Sequence, residues 1–210
     1  MTSTQDNGID TRQWHRHKIM TSIQDDLCAS SVLAQSLASD QSLLQAIEAV
    51  VELCVGSLKA GGKILFAGNG GSAADAQHMA GEFVSRFNYD RPGLAALALT
   101  VDTSILTAIG NDYTYDYVFA RQIEALGQAG DVLFAYSTSG NSPNILRALD
   151  AAKAKKITRV GLTGNRGGAM NRACDYLLAM PSAHTPRIQE GHLMVGHAIC
   201  AAVEARIFPR

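Results

Sequence analysis

Apolar residues along the chain first recur with a helical period and then change to short continuous runs. Ile19, Ile23 and Leu27 repeat every four residues, with Leu33 and Leu37 beyond them. Leu43, Leu44, Ile47, Val50, Val51, Cys54 and Leu58 form a second stripe. Residues at this spacing line one face of an amphipathic helix, so a helix pair is expected over 14–60. Asp40 stands where it caps the second helix, and Gly61 and Gly62 stand where that helix ends. Both stripes are wide, and a neighbouring subunit is expected to bury part of them. The segment 1–13 before them is polar, without an apolar signal core, and reads as a flexible leader.

From 61 to 210 the period changes. Apolar runs at 63–67, 94–99, 132–136, 159–162 and 176–180 alternate with helical patterns at 73–87, 104–109, 115–126, 143–155, 166–173 and 186–207. Continuous apolar strands separated by helices predict an α/β domain whose parallel five-stranded sheet is covered on both faces. Such sheets bind ligands beyond the carboxyl ends of their strands, so the loops 68–72, 100–103, 137–142 and 163–168 are where chemistry is expected.

Composition narrows the classes. A 47% hydrophobic, 18% charged chain of 210 residues can bury a full core as one domain. A formal net charge of −1 leaves no electrostatic case for nucleic acid. No apolar run approaches a membrane span. Cys28, Cys54, Cys174 and Cys200 form no paired motif. Buried free thiols are therefore expected, in keeping with a reducing cytoplasm.

Two loops and two helical stretches carry candidate chemistry. Gly68-Asn69-Gly70-Gly71-Ser72-Ala73 follows a strand and opens a helix, where backbone N–H groups welcome an anion or polar hydroxyls. It matches the dinucleotide form G-x-G-x-x-A only weakly: Asp90 precedes the next strand and Asp102 lies too far along. Ser137-Thr138-Ser139-Gly140-Asn141-Ser142 sits in the same context, with Pro143 at the next helix start. Four hydroxyls beside a helix N-terminus suit a phosphate monoester, held without a fixed point charge. His78, Glu82 and Arg86 fall at i, i+4 and i+8. Gln189 and His197 share a face two turns apart, whereas Glu190 and His192 point off that stripe. One imidazole and one oxygen donor from each of two helices make four ligands of a kind that zinc, iron and manganese all accept.

These residues sit in the stretches GNGGSAADAQHMAGEFVSRF, RPGLAALALTVDTSILTAIGND, GDVLFAYSTSGNSPNI, GLTGNRGG and TPRIQEGHLMVGH. Together the stretches resemble the sugar-isomerase (SIS) domain family over about 61–208, and within it the isomerases of heptose phosphates. The hydroxyl loop is shared by many sugar-phosphate binders. QHMAGE combined with RIQEGHLMVGH is the more specific part. The resemblance implies a flavodoxin-like sheet, and a homotetramer with sites at subunit interfaces in which the helix pair serves oligomerisation. It implies one zinc per subunit, held by His78, Glu82, Gln189 and His197. It implies contacts to a small sugar phosphate from Asn69, Gly70, Gly71, Ser72, Glu82, Asn111, Asp112, Ser137, Thr138, Ser139, Ser142 and Gln189. The implied reaction converts sedoheptulose 7-phosphate to an aldoheptose 7-phosphate, with Glu82 and His197 as catalytic residues, and supplies heptose for lipopolysaccharide or capsule. The main alternative is a catalytically inactive member that binds the replication initiator protein. In such relatives the Glu and last His positions are replaced, and both residues are present here.

Overall fold

The structure, a computed structural model, describes residues 11–210, with side chains from Ser22 onward. Positions 1–10 of the expected leader lie outside the described residues. The helix pair is α1 (Thr11–Ser39) and α2 (Gln41–Lys59). The side chain of Asp40 caps α2 by accepting the N–H groups of Ser42 and Leu43, and Gly61, at φ +81°, turns the chain out of it. By length and mean hydropathy α2 could cross a bilayer. Its Val50, Val51, Cys54 and Val55 are instead buried where it packs on α8 and the sheet.

Beyond the pair come β1 (Ile64–Ala67), α3 (Gly71–Val84), β2 (Ala96–Ala98), α4 (Thr103–Asp112), α5 (Ala120–Leu126) and β3 (Val132–Tyr136). The chain finishes with α6 (Pro143–Ala154), β4 (Thr158–Thr163), α7 (Met170–Ala173), β5 (Tyr176–Ala179) and α8 (Thr185–Ile207). The five strands form one parallel sheet in the order β2-β1-β3-β4-β5, the flavodoxin-like order expected from the resemblance. Because side chains alternate across a strand, each strand feeds two cores. Ile64, Phe66, Val132, Phe134 and Tyr136 face α2, α3 and α8. Leu65, Ala67, Leu133 and Ala135 face α5 and α6. Each fully buried side chain of this size contributes about 1.5–3 kcal/mol, and burial on both faces explains the unbroken apolar strands.

Strand order reverses between β1 and β3, whose register pairs Ala67 with Ala135. The loops leaving these strands therefore emerge side by side. At the opposite end Asp131, fully buried, accepts the N–H groups of Lys63 and Gln128 and pairs with Lys63 Nζ at 2.7 Å.

Three expected helices differ. The helix expected over 115–126 divides into a 3₁₀ turn at Tyr115–Tyr117 and α5. The one expected over 166–173 shrinks to α7, because Gly167 and Gly168 take φ of +63° and +57°. The one expected over 73–87 starts at Gly71 and stops at Val84, where side chains from elsewhere take over its backbone groups. Among the cysteines, Cys54 and Cys200 are buried and Cys174 half-buried, but Cys28 is exposed on α1. The apolar residues near it in sequence, Leu27 and Val32, are themselves exposed.

Candidate functional site at the carboxyl ends of the strands

Tyr136 ends β3 inside the core, and the next residues turn across the top of the sheet. Ser137 Oγ lies 2.9 Å from Ser142 Oγ and 3.5 Å from Ser139 Oγ. Ser142 is the N-cap of α6 yet makes no side-chain cap bond, so its hydroxyl is turned to Ser137 instead of the helix. Pro143 occupies the first helical turn, as expected. The loop is held from behind. Asn141 accepts the N–H of Ala169 and donates to the carbonyl of Ser139, and Met170 donates its N–H to the carbonyl of Gly140. Gly140 has φ +68° and lies flat against the carbonyl of Gly167, where no Cβ has room. A cleft of about 310 Å³ opens beside this loop, walled by Thr138, Ser139, Asn165, Arg166 and Thr185.

The glycine turn after β1 faces the hydroxyl loop. Gly70 takes φ +57°, ψ −121°, open essentially to glycine alone, and so releases the chain into α3. Ser72 is buried in the first turn of α3. Asn69 exchanges two hydrogen bonds with Asn144, at 2.9 and 2.8 Å, and accepts from Tyr115 Oη at 3.3 Å. Asn144, buried on the first turn of α6, escapes the sequence reading. Its only signal is an amide placed directly after the proline of a helix start.

α3 and α8 run alongside one another and gather the third group. His78 Nε2 lies 2.9 Å from His197 Nε2 and 3.2 Å from Glu82 Oε1. One ligand atom from each of the three residues lies within 4.8 Å of the others. Donors about 2.0–2.2 Å from one tetrahedral ion stand about 3.3 Å apart, which this spacing approximates. The donor set, two imidazoles and a carboxylate, suits a divalent ion. The fourth expected ligand, Gln189, lies against Gly71: its Nε2 would be 2.5 Å from a Cβ there. Its amide thus rests at the start of α3, toward the glycine turn. Asp75, one turn before His78, is half-buried, and burial pushes its carboxyl up to about 6 against the pull of His78.

The off-stripe residues have other partners. Glu190 pairs with Arg187 at 3.0 Å. His192 is fully buried, its Nε2 is 3.2 Å from the carbonyl of Thr163, and burial lowers its pKa to about 4. It is a neutral core histidine at pH 7. Asp102 caps α4 through the N–H of Ile105, which accounts for it without a ribose. Asn111 and Asp112 lie exposed at the end of α4, with Asn111 Nδ2 donating to Asp112 Oδ1 at 2.8 Å. Among the described residues no hydrogen bond ties these two to the hydroxyl loop.

A family model described as the SIS domain matches residues 29–164. The chain is 59% identical over 189 residues to a phosphoheptose isomerase of Burkholderia pseudomallei, spanning 90% of this chain and 96% of that protein. It is 56% identical to a phosphoheptose isomerase of Aneurinibacillus thermoaerophilus, over 89% of this chain and 94% of the relative. The solved structure of a phosphoheptose isomerase from Neisseria gonorrhoeae superposes with a TM-score of 0.82 at 42% identity, covering 88% of this chain and 99% of the other.

Proposed function

Since the chain belongs to the SIS domain family and is an aldose–ketose isomerase of heptose phosphates, we propose that it converts sedoheptulose 7-phosphate to D-glycero-D-manno-heptose 7-phosphate. The observation that carries this reading is the gathering of ligand atoms of His78, Glu82 and His197 within 4.8 Å of one another where α3 packs on α8.

In this reading the phosphate is taken by Ser137, Thr138, Ser139 and Ser142 together with the N-terminal N–H groups of α6. Asn69, Gly70, Gly71 and Ser72 approach the sugar from the facing turn, and Asn111 and Asp112 are assigned to its hydroxyls. Anchoring the phosphate far from C1 fixes the reacting end and lowers the entropic part of the barrier. Glu82 takes a proton from C1; the electron pair forms the C1–C2 double bond, and the oxygen on C2 gains a proton, giving a cis-enediol. The proton then returns to C2 while the oxygen on C1 loses its own, leaving an aldehyde. His197 serves as the acid toward the oxygens. His78, Glu82, Gln189 and His197 would hold zinc, which when bound supplies Lewis-acid polarisation of the carbonyl. Glu82 would alternate between holding the ion and carrying the proton.

The protein is further proposed to act in the cytoplasm as a homotetramer and to open the route to nucleotide-activated heptose for lipopolysaccharide or capsule. Metal analysis of purified protein, joined to an assay for aldehyde formation from sedoheptulose 7-phosphate, tests the assignment. About one zinc per chain is expected, and Glu82→Gln and His197→Ala should each abolish turnover while leaving the fold intact. Full activity in either variant removes that residue from the mechanism.

A further inference from the structure

The carboxyl end of α3 is closed by a side chain from beyond it. Arg91 Nη2 donates to the carbonyl of Glu82 at 2.8 Å. Its Nη1 donates to the carbonyls of Phe83, Pro92 and Ser85 at 2.7, 3.1 and 3.2 Å. Its Nε donates to Glu204 Oε1 on α8 at 2.9 Å. The Glu204 carboxylate also accepts the N–H groups of Phe87 and Asn88, at 2.9 and 2.7 Å. The two side chains are only 3% and 0% exposed. Burial by itself would raise the carboxyl pKa of Glu204, but the N–H groups of Phe87 and Asn88 and the guanidinium hold it below the ordinary glutamate value.

Both ends of this clamp reach the site. The guanidinium holds the main chain of Glu82 itself. Glu204 lies seven residues after His197, two turns along the same face of α8. The segment it holds carries Phe87, whose ring packs against the imidazole of His197 at a centroid distance of 5.4 Å. We propose that Arg91 and Glu204 are positioning residues of the isomerase, locking α3 to α8 so that Glu82 and His197 keep their mutual distance. The inference rests on reading the His78–Glu82–His197 group as the reacting centre.

A planar guanidinium spans the Glu204 carboxylate on one edge and the α3 carbonyls on the other through its five fixed N–H donors, a spread that the compact three-donor ammonium does not cover. Arg91→Lys is therefore expected to lower kcat about tenfold to hundredfold, the scale of a small misplacement. KM for sedoheptulose 7-phosphate should change less than kcat, because the clamp holds the carboxyl end of α3, whereas the hydroxyl loop joins β3 to α6 and the glycine turn opens α3 at its other end. Zinc affinity, read by chelator competition, should weaken about tenfold, as for other groups that support metal ligands. Glu204→Gln should move the same quantities in the same direction and provides a milder variant should Arg91→Lys not fold. A folded variant with lowered melting temperature but kcat and zinc affinity within twofold of wild type overturns the proposal. A selective fall in kcat in a protein whose wild type holds no zinc supports the clamp and overturns the zinc assignment instead. Unchanged kcat together with tight zinc binding overturns the clamp and leaves that assignment standing.

Discussion

A histidine at position 192, three residues beyond Gln189, competes on paper for a place in the site, and its surroundings decide otherwise. It is sealed against the ring of Tyr136 and the carbonyl of Thr163, and burial lowers its pKa to about 4 from an ordinary value of 6.5. The unfolded chain binds a proton there first, so the stabilisation is complete above about pH 6.5 and is lost as pH falls toward 4. A shift of this size corresponds to about 3 kcal/mol. Urea unfolding of wild type and His192→Gln should therefore show a stability difference that shrinks by up to about 3 kcal/mol between pH 7.5 and 4. A difference that stays constant over that range would contradict the assignment of a neutral core imidazole. Sequence spacing placed His78, Glu82 and His197 correctly on helical faces. It could not show that their ring and carboxylate atoms meet, since 119 residues separate the two histidines.

Elements in this fold tolerate added volume unequally, depending on what they press against. The hydroxyl loop meets the loop after β4 backbone to backbone at Gly140 and Gly167. α3 and α8 meet at Gly196, where a Cβ would press on the sulfur of Met79, the far end of a flexible side chain. Gly140→Ala combines a left-handed φ with a clash against fixed backbone and should cost about 2–4 kcal/mol, with a raised KM for the sugar phosphate. Gly196→Ala gains helix propensity of about 1 kcal/mol, which offsets the movement of Met79, and its melting temperature should stay within a few degrees of wild type. Thermal melts of the two variants rank them directly, and equal losses would refute this account. The early end of α3 belongs to this scale too. Helical periodicity runs on toward Phe87, but the Arg91 guanidinium and the Glu204 carboxylate draw off the backbone groups that would have continued it. No local pattern marks such a competition.

Among the described residues, α1 carries some of the most exposed aliphatic side chains of the molecule. On α1, Ile23, Leu27 and Val32 are 53%, 66% and 60% exposed. α1 is itself fastened to the start of α8, where Arg187 binds Asp26 and Ser30. Ile23 and Leu27 lie on one side of α1 and Val32 on the opposite side, so the fixed helix exposes apolar side chains on more than one face, of the kind partner subunits cover. Light scattering should give about 89 kDa for four 22.3 kDa chains, and Leu27→Glu with Val32→Glu should yield smaller species. A monomeric wild type would remove the tetramer proposal.

Hydrophobic periodicity determined the α/β class, the strand and helix alternation and which loops leave the carboxyl ends of the strands, because burial on two sheet faces imposes its pattern locally on every strand. Residue type and spacing likewise marked the hydroxyl loop and the helical His–Glu and Gln–His pairs. Only the tertiary structure decided that Gln189 rests on Gly71, that Asn144 holds Asn69, that His192 is core, and that Arg91 and Glu204 tie α3 to α8. Each of these depends on side chains distant in sequence competing for the same backbone or amide group, and that competition exists only once the sheet has brought them within reach.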